Sequence, residues 1–253
     1  MPYLTPTQLA DFEKNGFLIE RNLFDSVEIQ LLQKTAKDDQ ELDRRSQGRK
    51  DRSGATVRLT LWNQPGDGIY GMFARCKKLG GRMEELLNGE VYHYHSKMIL
   101  KDPEIGGAWE WHQDYGYWYH NACLYPDMGS CFIMLDKASK ENGCLKVLKS
   151  SHKVGRIGHD VSIDTPEQTA DMERISELEK RHETVYITAE PGDVLFFHSN
   201  LLHSSDANKS KNSRRTLIVC FNTKSNSPYK KIAHASYTPL NISSSNSIMD
   251  FKK

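Results

Sequence analysis

The chain has 253 residues, which is enough for one large domain that buries its own core without disulfides or structural metals. Its 34 lysine and arginine residues nearly balance 33 aspartate and glutamate residues, so the net charge does not indicate a nucleic-acid partner. No run of 18 apolar residues occurs, and the first residues lack the apolar stretch of a secretion signal. These features argue against a membrane partner and against secretion.

The five cysteines are odd in number and follow no metal-ligand or C-x-x-C spacing. Thiols used as small apolar groups are typical of a reduced compartment, so we expect a cytoplasmic protein. One local charge cluster stands out, "RRSQGRKDR" at 44–52. It is either a solvated loop or an anion-attracting patch.

The beginning of the chain predicts two helices with a short extended segment between them. "TPTQ" at 5–8 is a capping box with Thr5 as the N-cap, and Gly16 ends that helix. "FLIERNLF" then predicts an extended segment. "DSVE" opens the second helix, which carries three apolar residues on one face: Val27, Leu31 and Leu32.

The stretch before residue 90 is less regular. Residues 40–55 are charged and contain glycine, which predicts a loop. "CKKLGGRMEELLNG" at 76–89 predicts a further helix that Gly80-Gly81 interrupts.

From residue 90 the pattern changes to a period of two, which predicts strands. In "VYHYHSKMILK", starting at Val91, five residues face one way: Val91, His93, His95, Lys97 and Ile99. Further strand candidates are separated by Gly, Pro and Asn turns, namely "SCFIMLDK", "GCLKVLKSSH", "ETVYITAEPGDVLFFHS" and "RRTLIVCFNT". A mainly β domain with flanking helices follows, and a barrel or jelly roll would hide the edges of so many antiparallel strands.

Two polar segments depart from this pattern. "DTPEQTADMERISELEK" at 164–180 predicts a helix inserted between strands, with Thr165 as its cap. Residues 241–253 are polar and serine-rich, which predicts a poorly ordered tail.

The residues that carry chemistry begin in "WEWHQDYGYWY" at 109–119, where His112 and Asp114 are two apart among aromatic rings. Two further histidines, His198 and His203, follow in "PGDVLFFHSNLLHSSDANKSKNSRRT". Two imidazoles and one carboxylate can occupy one face of a six-coordinate Fe(II) ion and leave three positions open for O2 and a chelating electron donor. A His-x-Asp pair alone is a weak signal, and the spacing leaves both later histidines as candidates for the third ligand.

The chelating electron donor needs a cation to bind its carboxylate that lies farther from the metal. Arginine suits this role because its planar guanidinium binds a carboxylate through two hydrogen bonds. Arg214 and Arg215 are adjacent, so on one strand only one of them can enter the pocket. Thr216 lies on the same face as Arg214 and could add a hydroxyl.

Several segments in this order resemble the phytanoyl-CoA dioxygenase (PhyH-type) family of Fe(II)/2-oxoglutarate-dependent oxygenases. They are "LTPTQLADFEKNGFLIERNLF", "WHQDYGYW", "SKENGCLKVLKSSHKVGRI", "PGDVLFFHSNLLHSSDANKS" and "RRTL". The resemblance covers roughly residues 4–240. It implies one PhyH-like domain over 1–240, followed by the polar tail, with a double-stranded β-helix (jelly-roll, cupin-like) core.

Carried over to this chain, the resemblance makes His112, Asp114 and His203 the iron ligands. It makes Arg214 the partner of the distal carboxylate of 2-oxoglutarate. His198 is then a packing residue or a residue that supports the metal ligands from behind. Further candidates for the cosubstrate pocket are Thr216, Lys97, Phe132, Met98 and Arg58. Because Asp114 keeps the carboxylate that related halogenases replace, hydroxylation is expected.

The aromatic residues around the metal pair either pack the core or form the substrate pocket next to the iron. The candidates for substrate contact are Tyr115, Tyr117, Trp118 and Trp111. Flat aromatic walls could enclose an amine or quaternary ammonium group by cation–π attraction. We therefore expect a small polar or amine-bearing substrate.

The expected function is hydroxylation of a small molecule with Fe(II), 2-oxoglutarate and O2, with ascorbate as an auxiliary reductant. Three alternatives stay open. They are a catalytically idle family member acting as a sensor or binding module, a cupin-like zinc or manganese hydrolase or isomerase, and a nucleic-acid demethylase suggested by the basic cluster at 44–52.

Overall fold

The computed structural model describes residues 2–159, 170–243 and 248–249. Its helices are α1 Pro6–Asn15, α2 Ser26–Asp38, α3 Gln40–Arg44, α4 Ile69–Arg75, α5 Lys77–Leu86, α6 Asp114–Trp118 and α7 Met172–Glu179. Its strands are β1 Phe17–Glu20, β2 Gln47–Lys50, β3 Thr56–Trp62, β4 Val91–Lys101, β5 Trp109–His112, β6 Met128–Met134, β7 Leu145–Leu148, β8 Thr184–Tyr186, β9 Val194–His198, β10 His203–Ser205 and β11 Arg214–Thr223.

The strands form two antiparallel sheets. The large sheet has the order β1-β9-β6-β11-β4-β3-β2, and the small sheet has the order β5-β10-β7-β8. Phe132 and Ile218 of the large sheet share one core cluster with Leu145 and Val147 of the small sheet, so the two sheets face each other. The expected mainly β, jelly-roll architecture is confirmed, although within the described residues the sheets stay an open sandwich rather than a closed barrel.

Helices cover the outer faces of both sheets. Leu217 and Phe196 of the large sheet pack in a second core cluster with Leu32 and Phe73, which lie on α2 and α4. On the small sheet, Leu148 packs near α7 in a third cluster. The space between the sheets is therefore left for side chains that point inward from the strands.

Several local predictions are confirmed. α1 has the Thr5 capping box and ends at Gly16, whose φ of 83° suits glycine. α2 has Asp25 as its N-cap, with a second capping box. The alternating segment that begins at Val91 forms one continuous strand, and so does the segment that begins at Arg214.

Four local predictions are wrong. The five alternating residues of β4 do not share one face, because a register shift between His93 and His95 places Val91 in the cluster beneath the helices and Ile99 in the cluster between the sheets. Residues 40–55 are not only loop, because α3 and the edge strand β2 lie there. Gly80-Gly81 does not interrupt its helix. A Cβ at Gly81 would lie 2.3 Å from the Tyr3 ring, so the glycine permits close packing. On α2 the side chain of Val27 is 54% exposed, whereas Ile29 is buried.

Two predictions fall partly outside the described residues. The cap at Thr165 cannot be placed, and the described part of that helix, α7, has Asp171 as its N-cap. In the polar segment after residue 240, the Ser243 amide donates to the Arg75 carbonyl at 2.8 Å, and Ile248 is buried. Among the described residues, no helix has the length and apolar character needed to cross a bilayer.

Candidate metal centre

The small sheet brings two distant histidines together. β5 and β10 are antiparallel neighbours, and their register places His112 opposite His203. β5 ends at His112 and α6 begins at Asp114, so the His-x-Asp pair spans a strand end and a helix start rather than one strand. Ligand atoms of His112, Asp114 and His203 all lie within 4.8 Å of one another, and all three residues are buried.

The two imidazoles are oriented by the backbone. Nδ1 of His112 lies 2.8 Å from the Glu110 carbonyl, and Nδ1 of His203 lies 2.9 Å from the Leu201 carbonyl. A carbonyl can only accept a hydrogen bond, so each Nδ1 carries the proton and each Nε2 has a free lone pair. The Nε2 of His112 is 3.9 Å from Asp114 Oδ1. This orientation is typical of histidines that bind a metal.

The carboxylate of Asp114 is fixed from two sides. Ser130 Oγ donates to Asp114 Oδ2 at 2.8 Å, and Lys97 Nζ lies 3.8 Å from Oδ1. Between the two ligands on the chain, the buried Gln113 side chain donates to the carbonyls of Gly155 and Asn200, at 2.8 Å each. The turn that carries both ligands is therefore held by hydrogen bonds on its far side.

Burial lowers the pKa of His112 and also that of His203, with the neighbouring imidazole adding to the effect on His112. Both rings are thus kept neutral, which is the form that binds a metal. The donor set of two neutral imidazoles and one carboxylate fits iron(II) with an open face.

Arg214 lies in the same pocket as the three clustered residues. It is buried, and its Nε and Nη1 find no hydrogen-bond partner among the described residues; the same holds for Thr216 Oγ1. Arg215 points the other way and binds both carboxylate oxygens of Asp136 at 2.8–2.9 Å. A buried guanidinium without a partner is costly, so the pocket fits an anionic ligand at this end.

The other predicted pocket residues divide into two groups. Lys97 and Phe132 line the pocket. Arg58 does not, because its guanidinium is bound to Asp102 at 2.9 and 3.0 Å outside the pocket. Met98 also points away, into the core cluster beneath the helices. Both had been pocket candidates, and the alternation of side chains along β3 and β4 explains their placement.

His198 lies apart from the metal cluster. Its Nδ1 accepts the Asn200 amide at 3.0 Å, and its ring lies 5.4 Å from that of His152. It takes part in loop packing at the end of β9.

Of the four aromatic candidates for substrate contact, two lie beside residues of the pocket and two do not. The ring of Tyr117 lies 5.8 Å from that of His112, and Lys97 Nζ lies 5.8 Å from the Trp118 ring. Tyr115 instead donates its hydroxyl to the Cys123 carbonyl in the core. Trp111 points away from the pocket, and its Nε1 donates to Glu179 at 3.0 Å.

Some pocket residues escaped the sequence analysis. Trp109 and Lys101 line the pocket, and Arg49 of β2 stacks on the Trp109 ring at 4.4 Å. Lys101 continues the alternation of Lys97 and Ile99, so the period-two pattern contained the signal for it. Arg49 belongs to the basic cluster at 44–52, for which the sequence leaves a solvated loop and an anion-attracting patch as alternatives. Nothing in the sequence pointed to Ser130.

Comparisons with known proteins agree with this site. The family model described as phytanoyl-CoA dioxygenase (PhyH) matches residues 12–216. L-proline trans-4-hydroxylase of Streptomyces griseoviridis is 32% identical over 64% of this chain and 66% of its own length. Ectoine dioxygenase of Sphingopyxis alaskensis is 26% identical over 88% of this chain and 77% of its own length. The crystal structure of EctD from S. alaskensis with 2-oxoglutarate and 5-hydroxyectoine has a TM-score of 0.81 at 21% identity, covering 96% of this chain and 88% of that chain.

The family match, the named relatives and the pocket define an oxygenase of the Fe(II)- and 2-oxoglutarate-dependent class. The chain belongs to the phytanoyl-CoA dioxygenase family.

Proposed function

We propose that this enzyme hydroxylates an aliphatic carbon of a small amino-acid-like substrate, with His112, Asp114 and His203 as the iron ligands. The observation that carries the proposal is the convergence of these three residues in one pocket with the unpartnered Arg214. Bound iron and 2-oxoglutarate supply the oxidising power, as O2 is consumed and 2-oxoglutarate is converted to succinate and CO2.

The residues of the chain have separate tasks in this reaction. The two histidines and Asp114 hold the metal from one side, and Ser130 and Lys97 keep the carboxylate in place. Arg214 binds the carboxylate of 2-oxoglutarate that is farther from the metal. Phe132 excludes water from the space between these groups. The geometry thus orients the cosubstrate before the substrate arrives.

The charge of the pocket supports an amino-acid-like substrate. Its lining contains three cations, Lys97, Lys101 and Arg214, and one carboxylate, Asp114. Beyond them, Arg49 on Trp109 adds a further cation. Arg214 is taken up by 2-oxoglutarate and Lys97 by Asp114, so Arg49 is the cation that supports a substrate with a carboxylate. The names of two relatives, L-proline trans-4-hydroxylase and ectoine dioxygenase, agree with a compact substrate.

The test is succinate release by the iron-loaded enzyme with 2-oxoglutarate, O2 and a panel of candidates. L-Proline, L-pipecolate and ectoine are compared with prolinamide, which lacks the carboxylate, and with a branched acyl-CoA. We expect turnover with a member of the first group and hydroxylated product by mass spectrometry. Bound iron without any succinate, coupled or uncoupled, would instead support a binding-only protein.

The role of Arg49 can be tested within the same assay. Arg49→Met should raise KM for a carboxylate substrate about tenfold or more while substrate-free turnover of 2-oxoglutarate stays unchanged. Arg52→Met is the matched control, because Arg52 lies in the same basic cluster but faces Glu110 at 3.8 Å. An equal effect of both variants would contradict a specific role for Arg49.

We also propose a cytoplasmic location. The support is that all five cysteines are free and buried, as expected where thiols stay reduced.

A further inference from the structure

The aromatic run at 109–119 contains two tyrosines that the proposed function leaves without a task. Tyr115 directly follows the ligand Asp114, but its ring is buried in the core and its hydroxyl donates to the Cys123 carbonyl at 3.1 Å. Tyr119 begins the turn after α6 and is 44% exposed. The two tyrosines are four residues apart, a spacing that places side chains on one face of a helical turn. Their ring centroids lie 6.0 Å apart in an edge-to-face contact.

This contact joins the interior of the protein to the solvent. Tyr115 is 3% exposed, so the contact starts beside the metal ligand and ends at a ring that water and small solutes reach. The neighbouring contact of Trp118 with Tyr94, at 5.3 Å, instead joins two buried rings and ends in the core. Tyr115 and Tyr119 therefore form a route of aromatic rings from the metal centre to the surface.

We propose that Tyr115 and Tyr119 carry electrons from the surface to the metal centre and so discharge the iron-centred oxidant when no substrate is bound. The inference rests on the proposed function, because turnover of 2-oxoglutarate and O2 without substrate is what forms that oxidant. Tyrosine is among the side chains that lose a single electron most readily, and rings in contact can exchange it. Without such a route, the oxidant attacks the side chains around it.

Each transfer moves one electron inward. Tyr115 gives an electron to the iron-centred oxidant and is reduced again by Tyr119, while its proton stays on the hydroxyl because the Cys123 carbonyl accepts only the hydrogen bond. Tyr119 releases its phenolic proton to water. A reductant of the enediol class, such as ascorbate, then returns one electron and one proton to Tyr119. Two such transfers and two protons from water restore Fe(II), and the oxygen atom on the metal leaves as water.

The surroundings of Tyr119 favour the loss of its proton on oxidation. The guanidinium of Arg156 lies over the ring at 4.0 Å and opposes a positive charge there. Because the ring is 44% exposed, water can accept the phenolic proton. The oxidised residue is therefore a neutral radical that a small reductant in solution can meet.

The test is peptide mapping by mass spectrometry after the Fe(II)-loaded enzyme has turned over 2-oxoglutarate in air without substrate, with catalase present and ascorbate absent. In the wild type we expect oxidation or dityrosine cross-linking at Tyr119, and added ascorbate should suppress it. In Tyr115→Phe, modification of Tyr119 per succinate formed should fall several-fold, because phenylalanine does not relay the electron. In Tyr119→Phe, modification should move inward to Tyr115 and its buried neighbours, and ascorbate should no longer prevent it.

Tyr125→Phe is the matched control. Tyr125 is 57% exposed in the loop that follows, and among the described residues it makes no ring contact with Tyr115 or Tyr119. The variant should give the same modification as the wild type, in which Tyr125 itself should stay intact. An oxidant that diffuses out of the pocket would instead reach both exposed tyrosines.

Three results would overturn the proposal. They are equal modification of Tyr119 and Tyr125, modification of Tyr119 that persists in Tyr115→Phe, and modification confined to Trp109 or Tyr117 at the pocket. Succinate that forms only when a substrate is present would also overturn it, because no oxidant then needs to be discharged. If no succinate forms with or without any candidate substrate, the proposed function itself fails.

Discussion

Ser130 shows how a single hydroxyl can set the properties of the metal centre. Its Oγ donates to Asp114 Oδ2 at 2.8 Å, while Asp114 Oδ1 faces His112. The serine therefore binds the carboxylate oxygen other than the one that faces His112, and that second oxygen is left for the metal. Ser130 lies on β6 of the large sheet, so this hydrogen bond also ties the ligand from α6 to the opposite side of the pocket.

Ser130→Ala should weaken Fe(II) binding about tenfold, because groups that orient a ligand typically contribute 10- to 100-fold to metal affinity. Competition with a metal-sensitive dye would measure it. Ser199→Ala is the control, since Ser199 is an equally buried serine whose hydroxyl donates to the Pro126 carbonyl at 2.9 Å. Equal affinities of Ser130→Ala and the wild type would show that Asp114 is held by other contacts.

At the scale of elements, the short helix α6 depends on a histidine from a distant loop. Nε2 of His159 accepts the Gln113 amide at 2.9 Å, just before α6 begins at Asp114. The ring lies against Gly116, where an added Cβ would be 2.2 Å from His159 Nδ1. The absence of a side chain at Gly116 is therefore what lets the histidine reach the turn that carries the metal ligands.

Gly116→Ala should displace the His159 ring and disturb the Gln113 turn. We expect a loss of about 1–3 kcal/mol in the free energy of unfolding, as for other overpacked sites, together with weaker Fe(II) binding. Denaturant melts and metal titration measure the two effects. Gly158 lies next to His159 in the chain, and there is open space around the position of its Cβ. Gly158→Ala should therefore change neither the free energy of unfolding nor the Fe(II) affinity. Similar losses in both variants would contradict the packing argument.

Helices and strands were predicted correctly where neighbouring residues determine them, and they were missed where a distant pairing partner determines them. The cap at Thr5 is a property of neighbouring residues, and its prediction is confirmed. The extended character of β4 is also local, but the bulge that reverses its alternation between His93 and His95 arises from pairing with β11, which no local pattern contains. β2 was missed because its register against β3 depends on a pairing partner rather than on its own charged residues. The same reason applies to β10, which has only three residues.

The candidate site likewise depends on contacts between residues that are distant in the sequence. The ligand set came from a resemblance spread along the chain, since no local pattern could choose between His198 and His203. The pairing of β5 with β10, which puts His203 opposite His112, supplies the physical reason. Trp111, a candidate for substrate contact, lies on the opposite side of β5 from Trp109 because an extra residue in β5 interrupts the alternation of its side chains.

At the scale of the whole molecule, the fold buries several histidines in the neutral form. Burial lowers the pKa of His93, of His159 and of His198 to about 4 in each case. In the unfolded chain a histidine titrates near its ordinary value of about 6.5. Between these two values the unfolded chain binds protons that the native state does not, so the contribution of these histidines lowers the stability as the pH drops from about 6.5 to about 4, and that contribution is constant below about 4.

The contribution of one such group can be isolated at His93, which is 3% exposed and whose Nε2 lies 2.7 Å from Ser96 Oγ. For the metal-free protein, urea melts at several pH values between 7 and 4 should show the free energy of unfolding falling with acidification. The slope includes about 1.4 kcal/mol per pH unit from each buried histidine. His93→Gln removes one of these groups and should reduce the slope by that amount, whereas His120→Gln, at an exposed position, should leave it unchanged. If the slope of His93→Gln matched that of the wild type, His93 would not be held neutral by the fold, and acid sensitivity would have to arise from other groups.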